Sequence, residues 1–293
     1  MDTTLTITNL LAFLFWVRLW SQPDRDLYFN PFLSAPTRLT DRILDFLHPV
    51  LPLPGRLMSL LLLVFLLVFR ALALHNIFAQ GPWTIAVGTI FSFAPAESGL
   101  PGALRFSALH FLFFVVRFWG VFVLLQLLTP VPRRDRATEA FHFAALPLSA
   151  LRRWLQVALL VAANAILVYE LSLSSTAQIP AEIRARMATL PMLADFRHAP
   201  VFVCLVAFSL TDLLMMSWQL MFALLVGAFF ALVLQNPALN AVCGEGIGTL
   251  LGVTRRRLVV GMIDLTPLLY MFVVYLLYSL LCAFLLAMMA KYA

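Results

Sequence analysis

The chain has 293 residues, 62% of them hydrophobic and only 12% charged, where soluble globular domains carry about 45–50% apolar and about 25% charged residues. So few charges cannot cover the surface of a water-soluble protein of this length, and long runs of Leu, Phe, Ala and Val are what lipid-facing helices require. The net charge of +6 comes from nineteen arginines and a single lysine. Most of them sit in the segments between apolar runs, as topology determinants do, so the partner they imply is the lipid bilayer and not nucleic acid.

A spanning helix needs about 20 apolar residues. Taken in chain order, the candidates are Leu5–Trp20, Leu57–Phe78, Leu104–Leu128, Leu151–Leu171, Val201–Leu234 and Pro267–Met289. The first is slightly short and ends in Arg18 and Trp20, both suited to the membrane surface. No positive n-region or A-x-A-like site surrounds it, so it is expected to be retained in the mature protein. The fifth run would extend about 50 Å as one helix. It either tilts, projects from the bilayer, or breaks near Ser209 and Asp212. The predicted fold class is therefore all-α, a polytopic transmembrane helical bundle of about six spans.

Arginine sets the expected orientation. Ser21–Arg56, Val131–Arg153 and Asn236–Met262 are rich in it, Ala79–Ala103 has none, and Ser172–Pro200 has three. Rich and poor segments alternate if Val201–Leu234 crosses once, which places both termini outside and the rich segments in the cytoplasm. Within the first of them, Leu39, Ile43, Phe46, Leu47 and Val50 recur at three- and four-residue intervals, opposite Arg38, Asp41, Arg42 and Asp45. This pattern over Thr37–Leu53 predicts an amphipathic helix in the cytoplasmic interface; packing on the protein's own surface is the alternative.

The two ends of the chain resemble each other. A shift of 206 residues lays Asn30-Pro31 on Asn236-Pro237, Leu33 on Leu239, Ala35 on Ala241 and Gly55 on Gly261. Proline lacks an amide donor and disfavours helix in the residue before it, so each Asn-Pro pair is expected to end the incoming helix. Downstream, Asp264-Leu265-Thr266-Pro267 reads as a helix start, with Thr266 as N-cap and Pro267 in the first position. A duplication is the reading these pairs suggest.

Asn30-Pro31-Phe32-Leu33, followed by Thr37-Arg38-Leu39-Thr40-Asp41 and Leu51-Pro52-Leu53-Pro54, resembles the YggT/YlmG family of integral membrane proteins. In that family an Asn-Pro-Phe segment leads into an Arg-Leu-Thr-Asp/Glu-Pro stretch. Asp264-Leu265-Thr266-Pro267 is similar to the family's Asp-Leu-Ser-Pro helix start. The likeness covers the two ends of the chain, and Arg42 stands where the family carries proline. It implies residues 1–78 and 201–293 as two helical hairpin units, with 79–200 an added central helix pair. It also implies a non-enzymatic protein of the bacterial inner membrane, without cofactor, that acts as a scaffold or assembly factor among other membrane subunits.

Charges inside an apolar run are costly and mark function or structural pairing. Arg70, Arg117, Glu170 and Asp212 are such residues, and Arg117–Asp212 and Arg70–Glu170 are the pairs their positions suggest. A structural clamp is one reading. A small-solute or ion transporter or channel is the other. His75 and His110 are candidate haem or metal ligands only if their helices face one another. Cys204, Cys243 and Cys282 have no ligand spacing, and no HExxH, GxSxG or P-loop pattern occurs. Neither a catalytic residue nor a metal site is therefore assigned. Gly244-Glu245-Gly246-Ile247-Gly248 reads as a flexible cytoplasmic turn. Ala223, Gly227 and Ala231, spaced by four, are expected to mark close helix packing.

Overall fold

The computed structural model describes residues 3–20, 30–77, 84–88, 91–95, 99–128, 136–178, 199–253, 258–260 and 263–292. The fold is all-α, with a small amount of sheet. Its helices are α1 (Thr3–Trp20), α2 (Pro31–Leu47), α3 (Gly55–Ile77), α4 (Leu100–Leu128), α5 (Arg136–Ala144), α6 (Arg153–Ser174), α7 (Ala199–Val233), α8 (Pro237–Leu250) and α9 (Thr266–Tyr292). Two short 3-10 turns, Leu148–Ala150 and Leu251–Val253, join them.

Among the described residues, five helices are long and apolar enough to cross a membrane: α3, α4, α6, α7 and α9. Six were expected. The sixth candidate, α1, is an 18-residue helix whose described apolar part is Ile7–Trp20. The long fifth run does not break. α7 is continuous for 35 residues, and its Ser209 and Asp212 side chains bond to neighbouring elements.

The chain divides into two compact units. One contains Met1–Phe65, Val121–Gln156 and Met216–Val274; the other contains Leu66–Gly120, Val157–Met215 and Tyr275–Ala293. In the first unit, α2 packs on α1 and on α5, and α8 packs on α5. The buried residues Met221, Leu250, Leu251 and Met271 form a cluster with Trp218, Leu224 and Ile247 around it.

Both Asn-Pro pairs start helices, and the second follows the end of α7 at Val233. Asn30 is the N-cap of α2, its side chain accepting from the Phe32 amide at 3.0 Å, and Pro31 occupies the first turn. Asn236 caps α8 in the same way, accepting from the Leu239 amide at 3.1 Å. An N-terminal turn has amides to spare, so proline's missing N–H costs nothing there. The end of α7 needs no proline. Gln235 takes a left-handed φ of 50°, and the Asn236 and Gln235 amides donate back to Ala231 and Leu232, a Schellman closure.

The glycine-rich stretch expected as a turn is helical and lies within α8. Among its glycines Gly246 makes room for a neighbour, as does Gly227 of the facing α7, while Gly244 and Gly248 face open space. A Cβ at Gly246 would stand 3.0 Å from the Leu224 side chain and 3.6 Å from the Phe32 ring, and one at Gly227 would stand 2.9 Å from the Cys243 sulfur. Close approach of α7 and α8 is what removes the side chains.

In the second unit, the arginine-free segment after α3 forms a hairpin. Strands β1 (Ile85–Val87) and β2 (Phe91–Pro95) are antiparallel, with Ile85 opposite Phe93, and β3 (Ser175–Gln178) adds to β2. Alternation turns Ile85, Val87, Phe91 and Phe93 inward, where all four are fully buried. Phe91 meets Phe208 of α7 edge to face at 5.3 Å. A Cβ at Gly120 would overlap Leu213, so α4 and α7 also approach closely here.

Two residues each of β4 (Val259–Val260) and β5 (Ile263–Asp264) pair before α9. Asp264, not Thr266, supplies the capping oxygen: its carboxylate accepts the Thr266 amide at 2.9 Å. The Thr266 hydroxyl instead accepts from the Leu258 amide at 2.8 Å. The first helical bond runs from the Leu269 amide to the Leu265 carbonyl, so Pro267 falls in the first turn as its lost donor requires.

Candidate functional site

The second unit contains a buried charge cluster centred on Asp212. That residue sits midway along α7 and is 7% exposed. Its carboxylate accepts from the backbone amide of Gly88, 3.1 Å from either oxygen. Arg117 of α4 donates to Asp212 at 2.5 Å, and the Tyr278 hydroxyl of α9 donates at 3.3 Å. The hairpin tip, α4 and α9 therefore converge on one carboxylate of α7.

Arg117 completes the arrangement from the other side. The nitrogen that pairs with Asp212 also donates to the carbonyl of Ala86 at 2.5 Å. Its guanidinium carbon stands 5.6 Å from the Phe113 ring centroid, a cation–π contact that lessens the cost of a buried cation. The ion pair thus grips the hairpin through backbone atoms on both sides of Val87, whose side chain is buried. Gly88 has a φ of +64°, and a Cβ there would stand 3.0 Å from Phe208. The tip requires glycine for its dihedral and for its neighbour.

The remaining intramembrane charges pair differently from expectation. Arg70 is buried and donates from Nε to the Ser107 hydroxyl at 2.9 Å, and from a terminal nitrogen to the Ser107 carbonyl. Ser107 in turn donates to Leu67 O at 2.9 Å, linking α4 back to α3. Glu170 pairs with Arg105 at 2.7 Å, with both side chains about two fifths exposed. Such a pair contributes little beyond holding α4 near α6. Sequence position suggested Arg70 with Glu170 only because both lie in apolar runs; the structure gives Arg70 to Ser107 and Glu170 to Arg105.

A polar strand of contacts continues along α7. Asn164 of α6 donates to Val206 O at 3.1 Å and accepts from the Ser209 hydroxyl at 2.7 Å. Thr211 lies 3.7 Å from the Cys282 sulfur. His110 is on α4 and half-buried, and the side chain of His75 lies outside the described residues. No three His, Cys, Asp or Glu side chains come together as a metal site among the described residues.

The motif residues from the two ends of the chain occur in the first unit. Asn30 donates to Arg136 O at 2.9 Å and to Glu139 at 3.3 Å, tying the start of α2 to α5. The amide of Ala137, also in α5, donates to Glu245 of α8 at 3.2 Å. Thr40 is buried and bonds back to Pro36 and Thr37 carbonyls. Arg18 of α1 pairs with Asp41 of α2. Arg38 and Gly55 are exposed, and Gly261 lies outside the described residues, as do Arg133, Arg134 and the Arg255–Arg257 run. Of the small-residue stripe on α7, Ala231 is buried, Gly227 meets Cys243, and Ala223 is exposed.

Gly88, Ala86 and Tyr278 carry no signal as charges or motifs. The alternating Ile85-Ala86-Val87-Gly88 and Phe91-Ser92-Phe93 was readable as a hairpin around a glycine. Tyr278 is one of four tyrosines of α9, and only its neighbour Asp212 distinguishes it.

No protein-family model, curated protein or solved structure matches the chain.

Proposed function

We propose that this chain is a non-catalytic, multi-pass protein of the bacterial inner membrane, a scaffold or assembly factor within a larger membrane complex. The observation that carries the reading is the Asp212 cluster. Both oxygens of the carboxylate are occupied by Gly88, Arg117 and Tyr278, so the acid serves as a fixed clamp for the hairpin and has no lone pair directed at a substrate. The resemblance of the Asn-Pro elements to the YggT/YlmG family supports the same role. Duplication of a hairpin unit is supported by the two asparagines that cap α2 and α8, two helices that both pack on α5.

The test is affinity purification of the full chain in mild detergent, followed by identification of the proteins that co-migrate in fixed ratio. A chain that purifies alone at every detergent concentration argues against the scaffold. The accompanying topology places the arginine-rich segments together in the cytoplasm. Labelling that puts residues 133–136 and 255–257 on opposite faces would remove it.

A transporter or channel is the second reading. It is supported by the Nε of Arg117, buried and without a hydrogen-bond partner among the described residues, and by the polar contacts of Asn164 and Ser209. Solute flux in liposomes that Asp212→Asn abolishes, with the fold intact, would decide for it.

A further inference from the structure

α2 leaves part of its apolar stripe open, with Ile43 and Leu47 half-buried. Leu39 is 45% exposed, Phe46 79% and Val50, just beyond the helix, 76%. Arg38, Arg42 and Asp45 are exposed beside them. The opposite side is engaged: Thr40 is buried, Asp41 pairs with Arg18, and the helix packs on α1 and α5. At 100° per residue, Asp45, Arg38 and Arg42 fill one flank of the open face. Phe46 and Leu39 fill the other, with Arg42 and Phe46 adjacent on one i, i+4 ridge.

We propose that this open face of α2 binds anionic phospholipid, with Arg38 and Arg42 on headgroup phosphates and Leu39, Phe46 and Val50 at the acyl boundary. Two observations select lipid as the occupant. The first is height: Arg18 and Trp20 close the apolar run of α1, and Arg18 holds Asp41 of α2, so α2 is tied to the point where α1 leaves hydrocarbon. The second is charge: Asp41 is spent on Arg18, which leaves two arginines against the single acid Asp45 on the exposed arc. Basic groups flanking an apolar edge match a negative leaflet, where each contributes independently to binding. The inference requires that the chain be membrane-embedded. It does not depend on whether the protein is a scaffold or a transporter.

The test uses the full chain in nanodiscs of phosphatidylcholine, alone or mixed with phosphatidylglycerol. A nitroxide on Phe46→Cys, with the three native cysteines replaced, is expected to collide with oxygen and to be shielded from a water-soluble nickel chelate. In parallel, wild-type protein exchanged against both lipids in detergent is expected to retain phosphatidylglycerol preferentially. Arg38→Gln and Arg42→Gln should each lower that preference about fivefold, in protein that elutes as the wild type does. Free access of the chelate to position 46 would overturn the proposal. So would exclusion of both reagents, which would mean a protein partner or a second copy covers the face. An unchanged lipid preference in both arginine variants would also overturn it, and this result needs no cysteine replacement.

Discussion

Asp212→Ala removes the centre of the clamp and leaves three groups behind. Arg117 keeps only its bond to Ala86 O, the Gly88 amide loses both acceptors, and the Tyr278 hydroxyl loses one at 3.3 Å. The last is long for an O–H···O bond and counts for little. Stranding one partner of a buried ion pair costs about 3–5 kcal/mol, and an orphaned buried amide about 1–3 kcal/mol. Relaxation of the hairpin recovers part of this, so about 4 kcal/mol is expected for the single variant. In Asp212→Leu with Arg117→Met neither charge remains: the Gly88 N–H and the weakly held Tyr278 hydroxyl lose their acceptor, and Ala86 O loses the Arg117 donor. The double variant should therefore cost no more than about 4 kcal/mol, well below the sum of the singles. Unfolding free energies in mixed micelles measure the cycle, and amide exchange at Gly88 reports the hairpin locally. A single variant within about 0.5 kcal/mol of wild type, or strict additivity, would refute the clamp.

Gly120→Ala should destabilise the protein by about 1–3 kcal/mol through overpacking, since its Cβ would lie 2.2 Å from a Leu213 methyl; Leu213→Ala in the same chain should recover much of the loss in thermal unfolding. Asn236→Ala, which loses a cap on an exposed residue, should cost about 1 kcal/mol. Asn30→Ala should cost visibly more in the same assay, because Asn30 also bonds Arg136 and Glu139 of α5. Burial raises the pKa of the Cys243 thiol above its ordinary value, so less thiolate is present at a given pH. Its alkylation should be slow at neutral pH and rise only above the range of an exposed thiol, and Gly227→Leu, which collides with that sulfur, should speed it by opening the contact between α7 and α8.

The long helices were legible because a membrane span is a property of local composition. α3, α4, α6, α7 and α9 can each be found from the run of apolar residues alone. Arg117 and Asp212 could be singled out for the same reason, since a charge in such a run is visible without knowing its surroundings. Their pairing followed from counting opposite charges, and the same count failed for Arg70 and Glu170. Arg70 is satisfied by Ser107, whose hydroxyl and carbonyl no charge inventory would nominate. The glycines of α8 misled for a similar reason. Glycine normally weakens a helix, and only the proximity of Leu224 and Phe32 explains why Gly246 stands inside one.

Composition and hydropathy, acting residue by residue, determined that this is an all-α chain with helices suited to lipid, and where most of them begin and end. The tertiary structure decided what those helices hold. The segment after α3 became a hairpin, Gly88 became the partner of Asp212, and part of the stripe on α2 was left open to its surroundings. The difference is one of range: apolar runs and helix caps are written in neighbouring residues, whereas a backbone amide 124 positions from its carboxylate is brought there only by the packing of every element between them.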